Sequence, residues 1–241
     1  MRIKSLVEKV LRPFPPVYRV GSRVYHALFG SFRSISAEAP QAIQRALEEA
    51  RRIGGEDPGD YYEFGIFRGF TFYTAWEKAE ELRLKDMKLY GFGSFEGLPE
   101  VEGIDQGNGQ FFQGQFAASK ESVEANLRER GVDFSRVVMV KGFYNESLTE
   151  ELRAQHPFRK AAVAMMDCDL YASTLDALKW MTPYLQDGSV IVFDDWHSYG
   201  GDPKLGQPRA WAEWLETRPG FRGEPLFEYK HHGKVFVLRG P

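Results

Sequence analysis

The amino-acid sequence predicts an α/β fold in which a mostly parallel, seven-stranded sheet carries helices on both faces. Short apolar segments alternate with amphipathic segments of about 10–15 residues, which is the pattern of repeated strand–helix–strand units. Two of the apolar segments, AAVAMM and VIVF, contain no polar residue, as expected of parallel strands buried on both faces. Because ligands bind beyond the carboxyl ends of the strands in such sheets, we expect the functional residues there.

The seven strand segments are short runs that turn residues separate from their neighbours. In chain order they are residues 61–64, 88–92, 137–140, 161–166, 190–193, 226–229 and 234–238. The last two flank His231-His232-Gly233, which is typical of an exposed hairpin turn. They predict an antiparallel addition to the edge of the sheet.

One helix precedes these strands and four lie between them, at residues 39–53, 71–83, 119–130, 173–185 and 208–217. The first has Ile43, Leu47 and Ala50 on one face and ends at Gly54-Gly55. The third begins at Ser119, a residue type that caps helices. Residues 97–114 are rich in glycine and glutamine and have no period, and a loop of that length in a compact domain usually has a function.

The composition excludes several classes of protein. Of the 241 residues, 43% are hydrophobic and 27% are charged, so the chain is neither disordered nor fibrous. The single cysteine, Cys168, excludes a disulfide framework and fits a reducing compartment. A net charge of −3 gives no general electrostatic footprint for nucleic acid. No apolar run reaches the roughly 18 residues of a membrane span, and the start lacks a secretory signal, so we expect a cytoplasmic protein.

Residues 1–36 are predicted to form a basic helical arm that precedes a single domain of residues 37–241. Residues 1–33 carry seven basic side chains and one acidic side chain, a local net charge of +6. Apolar residues recur at helical spacing on both sides of a proline-rich break. Such an arm could lie on an anionic membrane surface. We favour the alternative, in which the arm packs on the main domain or on a second subunit of a homo-oligomer.

The first strand ends in a glycine-containing turn, EFGIFRG, which carries Glu63, Gly65, Arg68 and Gly69. The glycines allow a ligand to approach the backbone at the start of the next helix. Glu63 would repel the diphosphate of a dinucleotide, but it would attract the ammonium group of an amino acid. These features favour S-adenosylmethionine over a dinucleotide. The alternative is a strand-to-helix turn that binds no ligand.

The second strand ends where nucleotide-binding sheets usually carry an acid for the ribose hydroxyls. This chain has Gly93 there, and Glu96 is the nearest carboxylate. Ser94 is not a hydrolase nucleophile, because a nucleophile elbow needs glycine where this chain has Phe92 and Glu96.

Two later strands each end in a pair of acids, Asp167 with Asp169 and Asp194 with Asp195. Neighbouring strands lie only about 4.8 Å apart, so these carboxylates would repel one another. A bound cation would relieve the repulsion, and all-oxygen ligands favour Mg²⁺, Mn²⁺ or Ca²⁺. The alternative is that Asp169 or Ser173 caps the next helix and that the second pair opens a turn.

None of the histidines has the spacing of metal ligands. His197 and Tyr199 follow the second acid pair toward the same rim, where they could contact a substrate. The alternative for His197 is a solvent-facing loop residue.

Six segments in a fixed order resemble one known family. They are EFGIFRG, YGFGSFEGLPE, QFAAS, VKGFYNESL, MDCDLYAST and VIVFDDW. The family is that of the macrocin/mycinamicin-type O-methyltransferases, and the resemblance covers roughly residues 45–215. It implies a Rossmann-like class I methyltransferase that uses S-adenosylmethionine and a divalent metal, and many members methylate sugar hydroxyls of natural products.

The resemblance also implies roles for individual residues. Glu63 would face the amino group of the cofactor, Ser94 would lie near the ribose, and Gly142 and Phe143 near the adenine. The cofactor-binding residues that it implies are Glu63, Gly65, Arg68, Gly69, Ser94, Glu96, Gly142, Phe143 and Asp167. The metal ligands that it implies are Asp167, Asp194 and Asp195, with Asp169 in the same motif. Relatives usually have aspartate in place of Gly93, so Glu96 or a water would make the ribose contact.

The mechanism that such a site implies uses the metal, Mg²⁺ or another hard divalent cation, to lower the pKa of a hydroxyl on a small-molecule acceptor. Asp167 or Asp169 would accept the proton, and the loops at 97–114 and 197–208 would close over a sugar or a glycosylated natural product. Two alternatives remain open. One is a degenerate binding or scaffolding protein, which Gly93 favours. The other is a membrane-associated enzyme with a lipid-linked acceptor, which the basic arm favours.

Overall fold

The structure, a computed structural model, describes Phe32 and residues 38–106, 109–229 and 232–240. Apart from Phe32, the predicted arm lies outside the described residues, as does His231 of the predicted hairpin turn. No helix in the described ranges is long and apolar enough to cross a membrane.

Seven strands form one mixed sheet in the order β3-β2-β1-β4-β5-β7-β6. They are β1 (Asp60–Phe64), β2 (Leu89–Gly93), β3 (Val137–Lys141), β4 (Ala161–Met166), β5 (Val190–Phe193), β6 (Arg222–Tyr229) and β7 (Gly233–Arg239). The first five strands are parallel, whereas β7 pairs antiparallel with β5 and β6 pairs antiparallel with β7. The predicted sheet and its closing hairpin are therefore confirmed.

The five predicted helices are present, together with two that the sequence pattern does not predict. In the described part of the chain the α-helices are α1 (Ala39–Gly54), α2 (Phe70–Glu81), α3 (Lys120–Glu129), α4 (Tyr144–Ser147), α5 (Glu150–Gln155), α6 (Tyr171–Met181) and α7 (Gly206–Glu216). The unpredicted α4 and α5 have four and six residues, which is too short to show a helical period.

The edge strand β6 begins four residues earlier than its apolar residues indicate. Its first half is exposed and includes Pro225, and the pairing register with β7 shifts between Pro225 and Phe227. Proline and charged residues are tolerated on an edge strand, which needs only one neighbour. The apolar pattern therefore marked only the half of β6 that packs on the domain.

The sheet separates two hydrophobic layers. Tyr61 and Val163 face the layer with α1, α2 and α3, whereas Tyr62 and Ala164 face the layer with α6 and α7. The four strands β1, β2, β4 and β5 are buried along their whole length. This explains why β4 and β5 are continuously apolar rather than alternating, whereas β1 also buries Asp60 and Glu63.

The point at which the chain reverses direction across the sheet lies between β1 and β4, because β1 is followed by β2 on one side and later by β4 on the other. Just beyond β1, Gly65 has a φ of +102°. A Cβ atom there would lie 1.7 Å from the carbonyl oxygen of Asp167. Glycine is therefore required for the turn after β1 to meet the turn after β4 at the position where such folds bind ligands.

A buried carboxylate joins β1 to α2. Glu63 is fully buried; its Oε2 accepts a hydrogen bond of 2.5 Å from the Tyr61 hydroxyl, and its Oε1 accepts one of 2.7 Å from the Thr71 hydroxyl. Burial raises the pKa of Glu63 to about 7, although these two hydrogen bonds act in the opposite direction. The first turn of α2 is thereby fixed against the strand that leads into the site.

The raised pKa of Glu63 predicts a pH dependence of stability. The neutral carboxyl group is favoured in the folded state, so its contribution is present below pH 4.5 and is lost as the pH rises through about 7. Relative to Glu63→Gln, which does not ionise, the wild type should lose up to about 3 kcal/mol of unfolding free energy between pH 5 and pH 8. Urea unfolding of both proteins across this range measures the difference. Glu121→Gln, at an exposed glutamate in α3, is the control, and a pH-independent difference at position 63 would contradict the prediction.

Candidate functional site

A cavity of about 550 Å³ opens at the carboxyl ends of the parallel strands. Its wall is formed by residues within 65–71, 93–100, 142–145, 167–173 and 194–198, and so the turn after each of β1 to β5 contributes to it. Residues of the long loop between β2 and α3 complete the wall. The cavity has the size and the position of a small-molecule site in a doubly wound sheet.

Ten of the fourteen site residues that the sequence predicts line this cavity. They are Gly65, Arg68, Gly69, Ser94, Gly142, Phe143, Asp167, Asp169, Asp194 and Asp195. The topology thus brings together residues from five separate turns. Their roles toward a ligand remain predictions.

The two predicted glutamates, Glu63 and Glu96, do not line the cavity. Glu63 lies behind the wall, and it reaches the cavity only through the Thr71 hydroxyl, which it holds in place. Glu96 is exposed, and its Oε1 lies 3.0 Å from the Lys141 Nζ, while the preceding Phe95 occupies the wall. The predicted contacts of these glutamates with the cofactor stay predictions.

The two predicted substrate residues, His197 and Tyr199, also lie off the wall, although Ser198 between them lines it. The His197 Nε2 is 3.4 Å from a carboxylate oxygen of Glu228. Tyr199 has a φ of +56° and turns inward, where its hydroxyl lies 3.2 Å from the Oδ1 of Asp105. The turn after β5 directs both side chains away from the cavity wall, and their contact with a substrate stays a prediction.

The acids that follow β4 and β5 lie close enough to perturb one another; Asp169 is buried, and the other three are half-buried. Burial, followed by the charges of Asp194 and Asp195, raises the pKa of Asp167 well above its usual range. Burial and the Asp194 charge raise the pKa of Asp195 to about 8. The pKa of Asp169 is raised for the same reasons. A positive group in the cavity would relieve this repulsion.

Two polar side chains that the sequence analysis did not select hold this cluster. The Tyr229 hydroxyl donates to the Oδ1 of Asp194 at 2.8 Å. The fully buried Gln207 accepts from the Asp195 amide at 2.9 Å and donates to the Met166 carbonyl at 2.9 Å. Gln207 therefore bridges the ends of β4 and β5 from the first turn of α7, and the two acid pairs are fixed before any ligand binds.

The helix-cap alternative for the acids does not fit the structure. Helix α6 begins at Tyr171, its N-cap residue Leu170 makes no side-chain cap, and neither Asp169 nor Ser173 supplies one. The donor chemistry of the cluster suits a hard divalent cation, since all its candidate ligands are carboxylates. However, among the residues that the structure describes, no three His, Cys, Asp or Glu side chains are arranged as a formed metal site. Ligation by Asp167, Asp194 and Asp195 therefore stays a prediction.

The turn after β2 leaves space where relatives usually have an acid. A Cβ atom on Gly93 would lie 3.5 Å from the nearest atom, the Ile66 amide nitrogen, and the backbone there is not left-handed. The Ser94 hydroxyl is used within the turn, because it donates to the Gly97 carbonyl at 2.6 Å. The position at 93 thus accepts a side chain without strain, and the predicted contact of Ser94 with the ribose stays a prediction.

Other wall residues carry little signal in the sequence. Thr71 and Asp105 reach the cavity from a helix and from the aperiodic loop. His232, predicted as an exposed hairpin residue, is exposed and also lines the cavity, and its charge lowers the pKa of Asp194 against the larger effect of burial. Asp105 is an acid of the aperiodic loop, but Glu100 and Glu102 of the same loop are acids that also line the cavity, so nothing in the sequence distinguishes it.

Comparison with protein families gives one match that spans most of the chain. Residues 34–205 match the family described as macrocin O-methyltransferase (TylF). This range contains every residue assigned above to the turns after β1 to β5. It agrees with the resemblance inferred from the six sequence segments.

Curated relatives are similar over part of their length. An 8-demethyl-8-(2,3-dimethoxy-α-L-rhamnosyl)-tetracenomycin-C 4′-O-methyltransferase of Streptomyces olivaceus is 29% identical over 63% of this chain and 61% of its own. The mycinamicin III 3″-O-methyltransferase of Micromonospora griseorubida is 26% identical over 64% of this chain and 61% of its own. The demethyldecarbamoylnovobiocin O-methyltransferase of Streptomyces niveus is 28% identical over 64% of this chain and 58% of its own. The chain thus aligns with about three fifths of the length of these relatives.

Solved structures confirm the fold. The O-methyltransferase NovP gives a TM-score of 0.71 at 23% identity and covers 86% of this chain and 81% of its own. The calicheamicin methyltransferase CalS11 gives a TM-score of 0.64 at 22% identity, with coverage of 92% and 93%. Because the family match spans residues 34–205, the chain belongs to the TylF family of macrocin O-methyltransferases.

Proposed function

We propose that this protein transfers a methyl group from S-adenosylmethionine to a hydroxyl of a sugar on a glycosylated natural product. The observation that carries the proposal is the cavity itself, in which the glycine-containing turn after β1 faces four clustered carboxylates after β4 and β5. The methyl donor has a cationic sulfonium and an ammonium group, which suit an anionic wall. The relatives named above are sugar or natural-product O-methyltransferases by name, which supports this class of acceptor.

The donor would lie along the turns after β1 and β2. Gly65 and Gly69 allow close backbone approach, and the Thr71 hydroxyl donates inward to Glu63, so its oxygen keeps acceptor capacity toward the cavity. Asp167 adjoins this segment through its carbonyl at Gly65. We propose that these residues bind the amino-acid end of the donor. The donor supplies the electrophilic methyl group when it is bound.

The acceptor hydroxyl would lie against the acid cluster. We propose that Asp169 takes its proton as the oxygen–methyl bond forms and the sulfur–methyl bond breaks, which yields the methylated acceptor and the demethylated donor. Asp169 is preferred to Asp167 because Asp167 is engaged in a hydrogen bond with Asp194. Loop residues such as Phe111 and Gln110 line the cavity and would exclude water from the reacting groups.

We further propose that Asp167, Asp194 and Asp195 hold a divalent cation, with Mg²⁺ as the first candidate. When bound, the cation would supply positive charge that lowers the pKa of the acceptor hydroxyl. The support is the clustering of three half-buried carboxyl groups, with oxygen donors only, on the wall of one cavity.

The function is tested by incubating the protein with S-adenosylmethionine and three compounds named in its relatives. These are mycinamicin III, demethyldecarbamoylnovobiocin and the tetracenomycin rhamnoside. We expect methylation of at least one, detected by mass spectrometry, with at least about tenfold loss in EDTA and recovery with Mg²⁺. Asp194→Asn should lose the Mg²⁺ response, and Asp187→Asn, before the opposite end of β5, where Asp187 Oδ1 accepts from the Gly240 amide, is the control. Undiminished turnover in EDTA would contradict the metal proposal, and no methylation of any compound would contradict the acceptor class.

The space at Gly93 predicts the effect of restoring an acid. Gly93→Asp should tighten binding of S-adenosylhomocysteine about tenfold, since a charged hydrogen bond to ribose is worth about 1.5–3 kcal/mol and part of this is offset by ordering. Gly93→Ala fills the same space without an acceptor and is the control. Isothermal titration calorimetry measures both affinities. If Gly93→Asp binds no more tightly than Gly93→Ala, the ribose contact is already made by another group, and the degenerate-site alternative loses its support.

A further inference from the structure

Asp105 is a buried acid in the long loop between β2 and α3, and its side chain is only 4% exposed. It lies in a short 3₁₀ helix, Gly103–Gln106, at the far end of the loop from the strand. The base of the loop is closed by two backbone hydrogen bonds of 2.9 Å, from Gly114 to Leu98 and from Leu98 to Gln115. Backbone hydrogen bonds therefore hold the base of the loop, and Asp105 holds its 3₁₀ helix.

The first partner of Asp105 is the start of α6, 66 residues away in sequence. Its Oδ1 accepts from the Tyr171 amide at 2.7 Å, and its Oδ2 accepts from the Ala172 amide at 3.1 Å. Helix α6 has no local side-chain cap, so its first amides would otherwise lack intrahelical partners. A carboxylate at this end is also favoured by the helix dipole. Asp105 thus acts as a long-range N-cap.

The second partner is the loop after β5. The Tyr199 hydroxyl lies 3.2 Å from the same Oδ1 of Asp105, and the Tyr199 ring packs edge-on against Phe111 at 5.5 Å. The Gln110 Nε2 donates to the Ser198 hydroxyl at 3.3 Å, and the Gln110 Oε1 accepts from the Tyr199 amide at 3.4 Å. Three separate segments meet at one carboxylate.

We propose that Asp105 is a positioning residue for methyl transfer. Its carboxylate holds the long loop between β2 and α3 against α6 and against the turn after β5. This inference rests on the proposed function for its effect on turnover. Asp105 does not act as the base, because both of its oxygens are occupied by three donors. It acts through the groups that it holds.

The proposed base, Asp169, lies two residues before the Tyr171 amide that Asp105 accepts from. Asp169 precedes the first residue of α6 by two positions and has a φ of +62°, which is strained for a residue with a side chain. Its amide donates to the Oδ2 of Asp195 at 3.1 Å. If the first turn of α6 shifts, Asp169 shifts with it, and a displacement of about 1 Å at reacting groups can cost about 100-fold in rate.

The test uses Asp105→Ala, Asp105→Asn and Tyr199→Phe, with Asp133→Ala as the matched control. Asp133 also accepts from a backbone amide, that of Ser135 at 2.9 Å, but it is exposed and does not line the cavity. Three quantities are measured. They are hydrogen–deuterium exchange, the affinity for S-adenosylhomocysteine, and kcat and KM for an acceptor. The acceptor is whichever of the three compounds in the functional test the wild type methylates fastest.

We expect Asp105→Ala to speed exchange in the loop and in the first turn of α6 and to lower kcat/KM for the acceptor about 30–100-fold. The affinity for S-adenosylhomocysteine should stay within about twofold of the wild-type value, because Asp105 does not contact the turns after β1 and β2, where the donor is proposed to bind. Asp105→Asn keeps one acceptor oxygen and should fall between the alanine variant and the wild type. Tyr199→Phe should speed exchange in the loop but leave the first turn of α6 protected.

Unchanged exchange in both segments of Asp105→Ala would overturn the proposal, as would a kcat/KM within about twofold of the wild type. Equal losses of donor affinity and acceptor kcat/KM would show a general structural role instead. If Asp105→Ala does not fold, Asp105→Asn and Tyr199→Phe carry the same comparison. If the wild type binds no S-adenosylhomocysteine and methylates nothing, the proposed function fails, while the exchange result still decides whether Asp105 fastens the loop.

Discussion

The crowding of four carboxylates at the ends of β4 and β5 is the constraint on which the rest of the site depends. The backbone brings Asp167 and Asp194 into one cavity because the two strands are hydrogen-bonded neighbours. Burial raises the pKa of all four acids, and the charges of neighbouring acids in the cluster raise it further for Asp167, Asp169 and Asp195. Such a cluster is costly in an empty protein and favourable only when a positive group shares it.

The surrounding fold holds this arrangement in place. Gln207 and Tyr229 fix the acids after β5, and Gly65 permits the turn after β1 to approach Asp167. Behind the wall, Glu63 anchors the first turn of α2. These contacts are made by residues far apart in sequence, so the site is assembled by topology rather than by any one motif.

The fold could be predicted almost completely from the sequence, because the buried strands are short runs rich in apolar and aromatic residues and the long helices have an apolar face. The site could be predicted in part. Residues at strand ends, such as Asp167 and Asp194, were found because the topology alone determines where strand ends meet. Side-chain direction within a turn was not predictable: Glu96 and Tyr199 are in the expected segments but point away from the cavity. The remaining contacts depend on long-range packing, and the cap that Asp105 provides for α6 has no local signature.

The most direct test of the account is the thermal stability of the ligand-free protein after one charge is removed from the cluster. Asp195→Asn keeps an oxygen that can accept from the Asp169 amide and removes one negative charge. At pH 9, above the pKa of about 8 for Asp195, we expect the variant to unfold a few degrees higher than the wild type, because about 1 kcal/mol shifts Tm by roughly 2–4 °C in a protein of this size. A lower unfolding temperature for Asp195→Asn without any ligand would show that the carboxylates stabilise the empty protein, and the account would be contradicted.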